Sequence, residues 1–134
     1  MEWQTRGKEG VCMIYTTYFA KLKDLSGRVV PISICGKAPK GYKGLQYKSL
    51  APKWEFFQKW KENGDNEFYT RCFKEQVLAK LNPKEVEKLL YWMSAGRDVA
   101  LVCYEKPGDF CHRHLVAEWL NENGIVVKEW EYSQ

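Results

Sequence analysis

The 134-residue sequence predicts a small open α/β sheet, largely parallel, with helices on both faces and all of residues 1–134 in one domain. Three observations predict it. The C-terminal third reads strand, helix, strand, which is a βαβ unit. A short apolar segment near the N-terminus reads as a further strand. Between these lie three helical patterns. With 45% hydrophobic residues the chain can bury a core of its own, and its length argues against a second domain.

The elements follow in order. "VCMIYTTYF" (residues 11–19) is short, β-branched and aromatic, with no single helical face, and reads as a buried strand. "RVVPISIC" (residues 28–35) reads as a second strand; its Pro31 calls for an edge position or a bulge, because proline donates nothing to a ladder. Residues 36–53 carry several Gly and Pro without a helical period and read as a long loop. "KWEFFQKW" offers a short helix and "NEFYTRCFKEQVLAKL" (residues 66–81) a longer one. "NPKEVEKLLYWMSAG" is the clearest: Asn82 as N-cap, Pro83 in the first turn, Glu85 in capping-box position and Gly96 as stop, around Val86, Leu89, Leu90 and Met93 at helical spacing. "DVALVCYE" is a continuous apolar strand of the kind buried on both faces. A helix over residues 111–123, capped by Asp109 or Gly108, puts Leu115, Val116, Trp119 and Leu120 on one side, and "IVVKEWEY" closes the chain as a strand.

Composition narrows the function. A net charge of +4 fits an anionic ligand but falls short of a protein that coats DNA. No apolar run approaches the roughly 20 residues needed to span a bilayer, and the first residues are polar, so a cytoplasmic protein without membrane contact is expected. Five cysteines, odd in number and without a secreted-framework spacing, are expected as free thiols.

In open α/β sheets ligands bind outside the carboxyl ends of the strands. That rule selects residues 16–18, 35–43 and 103–114. Cys111, His112 and Arg113 then fall in the first turn of the last helix, where unpaired N–H groups and the positive dipole end favour an anion. Arg113 is a candidate phosphate ligand and Cys111 a candidate nucleophile with a lowered pKa. The same residues admit a plainer reading: a small buried Cys111, His112 bonded to a neighbouring carbonyl, and Arg113 paired with a carboxylate. Glu105, directly after the apolar strand, is a candidate general acid or base, or else the salt-bridge partner of Lys106 or Arg113. Cys103, Cys111 and His112 invite a zinc reading, but C-x7-C-H matches no standard finger or ribbon and adjacent Cys and His rarely share an ion, so no metal and no cofactor is expected.

The loop supplies the other half. Lys37, Lys40, Lys43, Lys48 and Lys53 interleave with Tyr42 and Tyr47, a pattern that suits a ligand with both phosphate and base, and equally a solvated lysine-rich loop. At the first strand, some of the hydroxyls of Tyr15, Thr16, Thr17 and Tyr18 are expected to point at the same crevice, although β-propensity alone also explains Thr and Tyr there.

The segments "MIYTTYF", "LAPKWEFF", "FYTRCFKEQVL" and above all "VALVCYEKPGDFCHRHLVAEWL" resemble the domain of unknown function 488 family, with "C-x-E-K … F-C-H-R" as the most specific signature. The resemblance implies a Rossmann-like sheet with Cys103, Glu105, Cys111, His112 and Arg113 at the site, and a role in nucleotide or nucleic-acid metabolism in bacteria or their phages. Where many members carry "DVR" in the second strand, "PISIC" lacks both the Asp and the Arg. The function expected is binding of a phosphate-bearing nucleotide, free or within nucleic acid, with cleavage of an N-glycosidic or phosphoester bond if Glu105 acts. The rival is a non-enzymatic phage or mobile-element protein that sequesters a signalling nucleotide or blocks a host protein.

Overall fold

The computed structural model describes residues 12–25, 27–105 and 109–131. Its sheet is organised around the strand with the longest apolar run, "DVALVC". Every residue of that run after Asp98 is buried, so it needs cover on both faces and a neighbour on each side. The five strands are β1 (Ile14–Tyr18), β2 (Val29–Ser33), β3 (Leu45–Gln46), β4 (Asp98–Cys103) and β5 (Val127–Glu129), in the order β3-β2-β4-β1-β5. Each neighbouring pair is parallel, with Thr16 beside Leu101 on one side of β4 and Ile32 beside Leu101 on the other. The open parallel α/β sheet expected from the sequence is what the chain forms.

Four α-helices follow from β3 onward: α1 (Trp54–Asn63), α2 (Asn66–Gln76), α3 (Pro83–Met93) and, after β4, α4 (His112–Glu122). The connections β3 to β4 and β4 to β5 step along the sheet in one direction, so right-handed crossovers gather these helices on one face. There Phe73, Leu90, Val116 and Leu120 pack with Ile14, Ile32 and Leu101 in one core. The step from β1 to β2 runs the other way, so its 3-10 helix (Phe19–Asp24) crosses the opposite face.

Pro31 finds a different solution from an edge or a bulge. β2 has partners on both sides, but β3 is two residues long and pairs only from Ile32 onward. Pro31 therefore lies just outside that ladder, and its carbonyl is 3.3 Å from the Tyr42 hydroxyl, which donates chiefly to the Leu45 carbonyl at 2.7 Å. No ladder bond is lost to the missing N–H. The expected long loop is also more ordered than its composition suggested, since it contains β3 and a 3-10 turn (Lys48–Leu50). The helix expected over residues 66–81 ends at Gln76 and gives way to a 3-10 turn at Leu78–Lys80.

α3 starts as its sequence dictates: the Asn82 side chain accepts from the N–H groups of Lys84 (2.9 Å) and Glu85 (3.2 Å), with Pro83 at the first helical position. It stops in a left-handed turn at Ala95 and Gly96, where the Gly96 N–H returns to the Tyr91 carbonyl. The cap of α4 differs from expectation. Cys111 is the N-cap, because its backbone is still extended (φ −156°, ψ 141°), and not Asp109; Gly108, like Val11, lies outside the described residues. Among the described residues no helix is long and apolar enough to cross a membrane.

Replacing Asn82 by Ala leaves two N–H groups of α3 without their acceptor. We expect a loss of about 1 kcal/mol in urea unfolding, seen as a lower midpoint with an unaltered slope; an unchanged midpoint would show that solvent replaces the cap without cost.

Candidate functional site

β2 and β4 lie side by side, yet the chain leaves β2 toward β3 and leaves β4 toward β5. Strands whose connections part in this way leave a crevice at their carboxyl ends. A cavity of about 760 Å³ opens there. One wall is Cys35, Gly36 and Lys37 after β2, with Cys103 at the end of β4 and Tyr104 and Glu105 after it. The start of α4 adds Cys111 and His112. Tyr104 ties the two lips together by donating from its hydroxyl to the Lys37 carbonyl at 2.7 Å.

The facing wall is aromatic. α1 turns Phe56 into the core, which leaves Trp54, Phe57 and Trp60 on the side toward the cavity, joined there by Tyr69 of α2 and by Phe110. Trp60, Tyr69 and Phe110 contact one another with ring centroids 5.0–5.6 Å apart. The Trp60 indole is held by a 2.8 Å hydrogen bond to Asn66 Oδ1. Trp54, in contrast, is 67% exposed at the mouth. Lys61 completes this side, its ammonium 5.7 Å from the Phe57 ring centroid.

The cavity floor holds the reactive groups. His112 is buried, and its Nε2 lies 2.7 Å from the Ile34 carbonyl oxygen. A carbonyl only accepts, so Nε2 carries the proton and Nδ1 the lone pair. Burial, aided by the Arg113 charge, pushes its pKa down to about 4, so the ring is neutral at pH 7. Burial likewise pushes the Cys35 thiol up to about 12, which makes it a poor nucleophile. Tyr69 is moved far in the same direction by its burial. Cys103 and Cys111 are joined in a disulfide, where free thiols were expected, because the end of β4 and the cap of α4 lie together; Cys35 and Cys72 are buried thiols.

Of the residues selected from the sequence, the structure brings Lys37, Cys103, Glu105, Cys111 and His112 to this cavity. Arg113 is elsewhere. Its side chain is fully buried, with Nε and Nη2 donating to the Glu129 carboxylate at 3.1 and 2.8 Å. Nη1 donates to the Glu105 backbone carbonyl and lies 3.4 Å from Cys103 Sγ. With its donors committed inside the protein, Arg113 is not exposed to a phosphate, and the carboxylate it takes is that of Glu129, not Glu105. Its neighbours are the β1 residues expected at the crevice. Thr16 donates to Glu129 at 2.6 Å, the Tyr18 ring lies under the guanidinium at 5.6 Å, and Tyr15 packs edge-on against Trp130. The Trp130 backbone N–H bonds the Thr16 carbonyl, which continues the β1–β5 ladder one residue past β5. Lys40, Tyr42 and Tyr47 do not line the cavity either: Tyr42 is spent on the β3 turn and on Phe19, Tyr47 packs on the core, and Lys40 is exposed beyond the rim.

The sequence reasoning missed the aromatic wall. The available signal was in α1, where Trp54, Phe56, Phe57 and Trp60 are more rings than one core-facing stripe of a ten-residue helix absorbs.

A family model, DUF488-N3a, described as the active DUF488-N3 subclade, matches residues 18–124. No curated protein and no solved structure matches the chain.

The Arg113 network generates a direct test. Glu129→Ala strands a buried guanidinium, and a loss on the order of 3 kcal/mol in denaturant unfolding is expected. A loss below roughly 1 kcal/mol, the range of a surface pair, would mean that Glu129 does not hold that charge in place.

Proposed function

The chain belongs to the DUF488 family, within its active N3 subclade, and we propose that its cavity binds a phosphate-bearing nucleotide, free or within nucleic acid. The observation that carries this reading is the aromatic wall together with a lysine on each side of the cavity, Lys37 after β2 and Lys61 on α1. Trp54, Phe57 and Trp60 offer ring faces and edges for a base, and Lys37 and Lys61, both exposed, stand at the mouth to meet phosphate. The first turn of α4, whose N-cap makes no side-chain hydrogen bond, adds backbone N–H groups on the same side. At about 760 Å³ the cavity lies within the usual range for small-molecule sites.

The enzymatic form of the proposal gives the chemistry to Glu105. It is the acidic residue lining the cavity, only partly buried, and its backbone is pinned by Arg113. A carboxyl group so placed suits proton transfer in the cleavage of an N-glycosidic or phosphoester bond, giving its proton to the leaving group as an acid or taking one from the attacking group as a carboxylate base. The description of the subclade as active favours this form over a purely sequestering one. His112, neutral and occupied by Ile34, orients instead of carrying charge.

The test is the thermal unfolding midpoint against nucleotides, cyclic dinucleotides, ADP-ribose derivatives and short oligonucleotides. Ligand at about 100 times its dissociation constant adds roughly 2.7 kcal/mol, an easily measured shift for a domain of this size. Trp54→Ala should weaken binding by about 1–3 kcal/mol, the usual contribution of one stacked base. Lys37→Ala with Lys61→Ala should reduce both affinity and its salt dependence. No shift with any class of ligand, or an unaltered affinity in Trp54→Ala, would remove the proposal.

Turnover is tested separately. Glu105→Gln should abolish product formation and leave the thermal shift intact, and retained turnover would exclude Glu105 as the acid or base. Unaltered nucleotide recovered from denatured wild-type protein would assign the chain to the sequestering class.

A further inference from the structure

We infer that Cys103, Cys111 and His112 form a binding site for a soft divalent cation of the zinc class, with an open coordination position toward the cavity. The end of β4 and the cap and first residue of α4 bring one donor atom from each of these residues within 4.8 Å of the others. All three side chains are buried and all three line the cavity. Two thiolates and one imidazole are a donor set that zinc prefers, and three protein donors with a fourth position left open is the pattern of a catalytic site.

The surroundings of the three donors point the same way. His112 donates Nε2–H to the Ile34 carbonyl, which fixes the ring and leaves Nδ1 as its electron-pair donor; a backbone carbonyl on the second nitrogen is the usual outer partner of a metal-bound histidine. Arg113 places Nη1 3.4 Å from Cys103 Sγ, where it supports a negative sulfur. The backbone spacing also fits. Cys103 and Cys111 have their Cα atoms 7.4 Å apart, wider than the roughly 4.4–6.8 Å of ordinary disulfides. Two thiolates on one tetrahedral ion at about 2.3 Å each are held roughly 3.8 Å apart and accept the wider span. The C-x7-C-H spacing hid this set, because the cysteines belong to two elements that meet only once the sheet is formed.

The ion takes the reduced pair, whereas the structure shows the oxidised one. A phosphine reductant cleaves the S–S bond with one water, yielding two thiols and the phosphine oxide; the two thiols then release two protons as they bind the ion. This inference does not depend on the nucleotide reading, and its readout needs no nucleotide.

The experiment uses the full chain, reduced with a phosphine, stripped with a chelator and given one equivalent of cobalt(II) or zinc. Expected are one ion retained per chain after desalting, and a cobalt spectrum with a thiolate-to-metal charge-transfer band and the strong visible bands of a tetrahedral site. Cys103→Ser and Cys111→Ser should each weaken the charge-transfer band and lower zinc affinity by more than the roughly 10–100-fold typical of outer-shell changes, with His112→Gln also lowering affinity. Folded, reduced wild type that shows no charge-transfer band overturns the inference whatever the variants do. So does equal zinc retention by wild type and a folded Cys103→Ser/Cys111→Ser double variant.

Discussion

The guanidinium of Arg113 is the constraint on which the functional end of the sheet depends. A fully buried cation is tolerable only where every donor has a partner, and this one joins four parts of the chain at once. It holds Glu129 at the end of β5, and through Glu129 the hydroxyl of Thr16 on β1. It holds the Glu105 carbonyl after β4 and leans on Cys103 at the end of that strand. Because Arg113 sits in the first turn of α4, the same bonds fix where that helix begins. The positions of Cys111, His112 and Glu105 follow from this arrangement, and they in turn define the cavity floor.

Strand order then decides which strand ends are open. β1 neighbours β4 as closely as β2 does, yet its Thr16 and Tyr18 are taken up by Trp130, Glu129 and Arg113. The crevice between β2 and β4 stays open because their connections leave in opposite directions along the sheet. The result is a division of labour across one space. Strand ends and the α4 cap supply the Cys35 thiol, the Cys103–Cys111 disulfide, an imidazole and a carboxylate, while α1 and α2 supply rings and Lys61. One side of the cavity is therefore apolar and the other polar.

Much of the fold was legible in the sequence because local physics dictated it. Asn82 and Pro83 announce α3, the apolar run of β4 demands a central place, and strand, helix, strand at the C-terminus demands a parallel pair. Pro31 was read correctly as a residue without a donor to offer, but its remedy, a neighbour too short to need that donor, lies in β3, whose two residues carry no strand signal of their own. The site was legible in part. Residues after β2 and β4 were selected by a rule about strand ends, and Lys37, Cys103, Glu105, Cys111 and His112 do meet. Arg113 was read as a ligand group because its position in a helix first turn is real, while its burial depends on Glu129, sixteen residues on. The rings of α1 were not singled out because an aromatic facing a cavity and one facing a core have the same helical spacing.

The same distinction between local and assembled information bears on the cysteines. Seven residues separate Cys103 from Cys111, and along an extended chain that would place their sulfurs far apart. They meet because β4 ends and α4 begins at one point in space, and that point is set by the Arg113 bonds to Glu105 and Glu129. His112 joins them because the residue after an N-cap turns with the first helical turn, and the Ile34 carbonyl, on the far side of β4's end, catches its outer nitrogen. Cys103 is therefore held by β4, and Cys111 and His112 by the start of α4. A cluster that no linear spacing encodes is what a sheet with parting connections is able to build, since it brings the ends of neighbouring strands and the start of a helix to a single crevice.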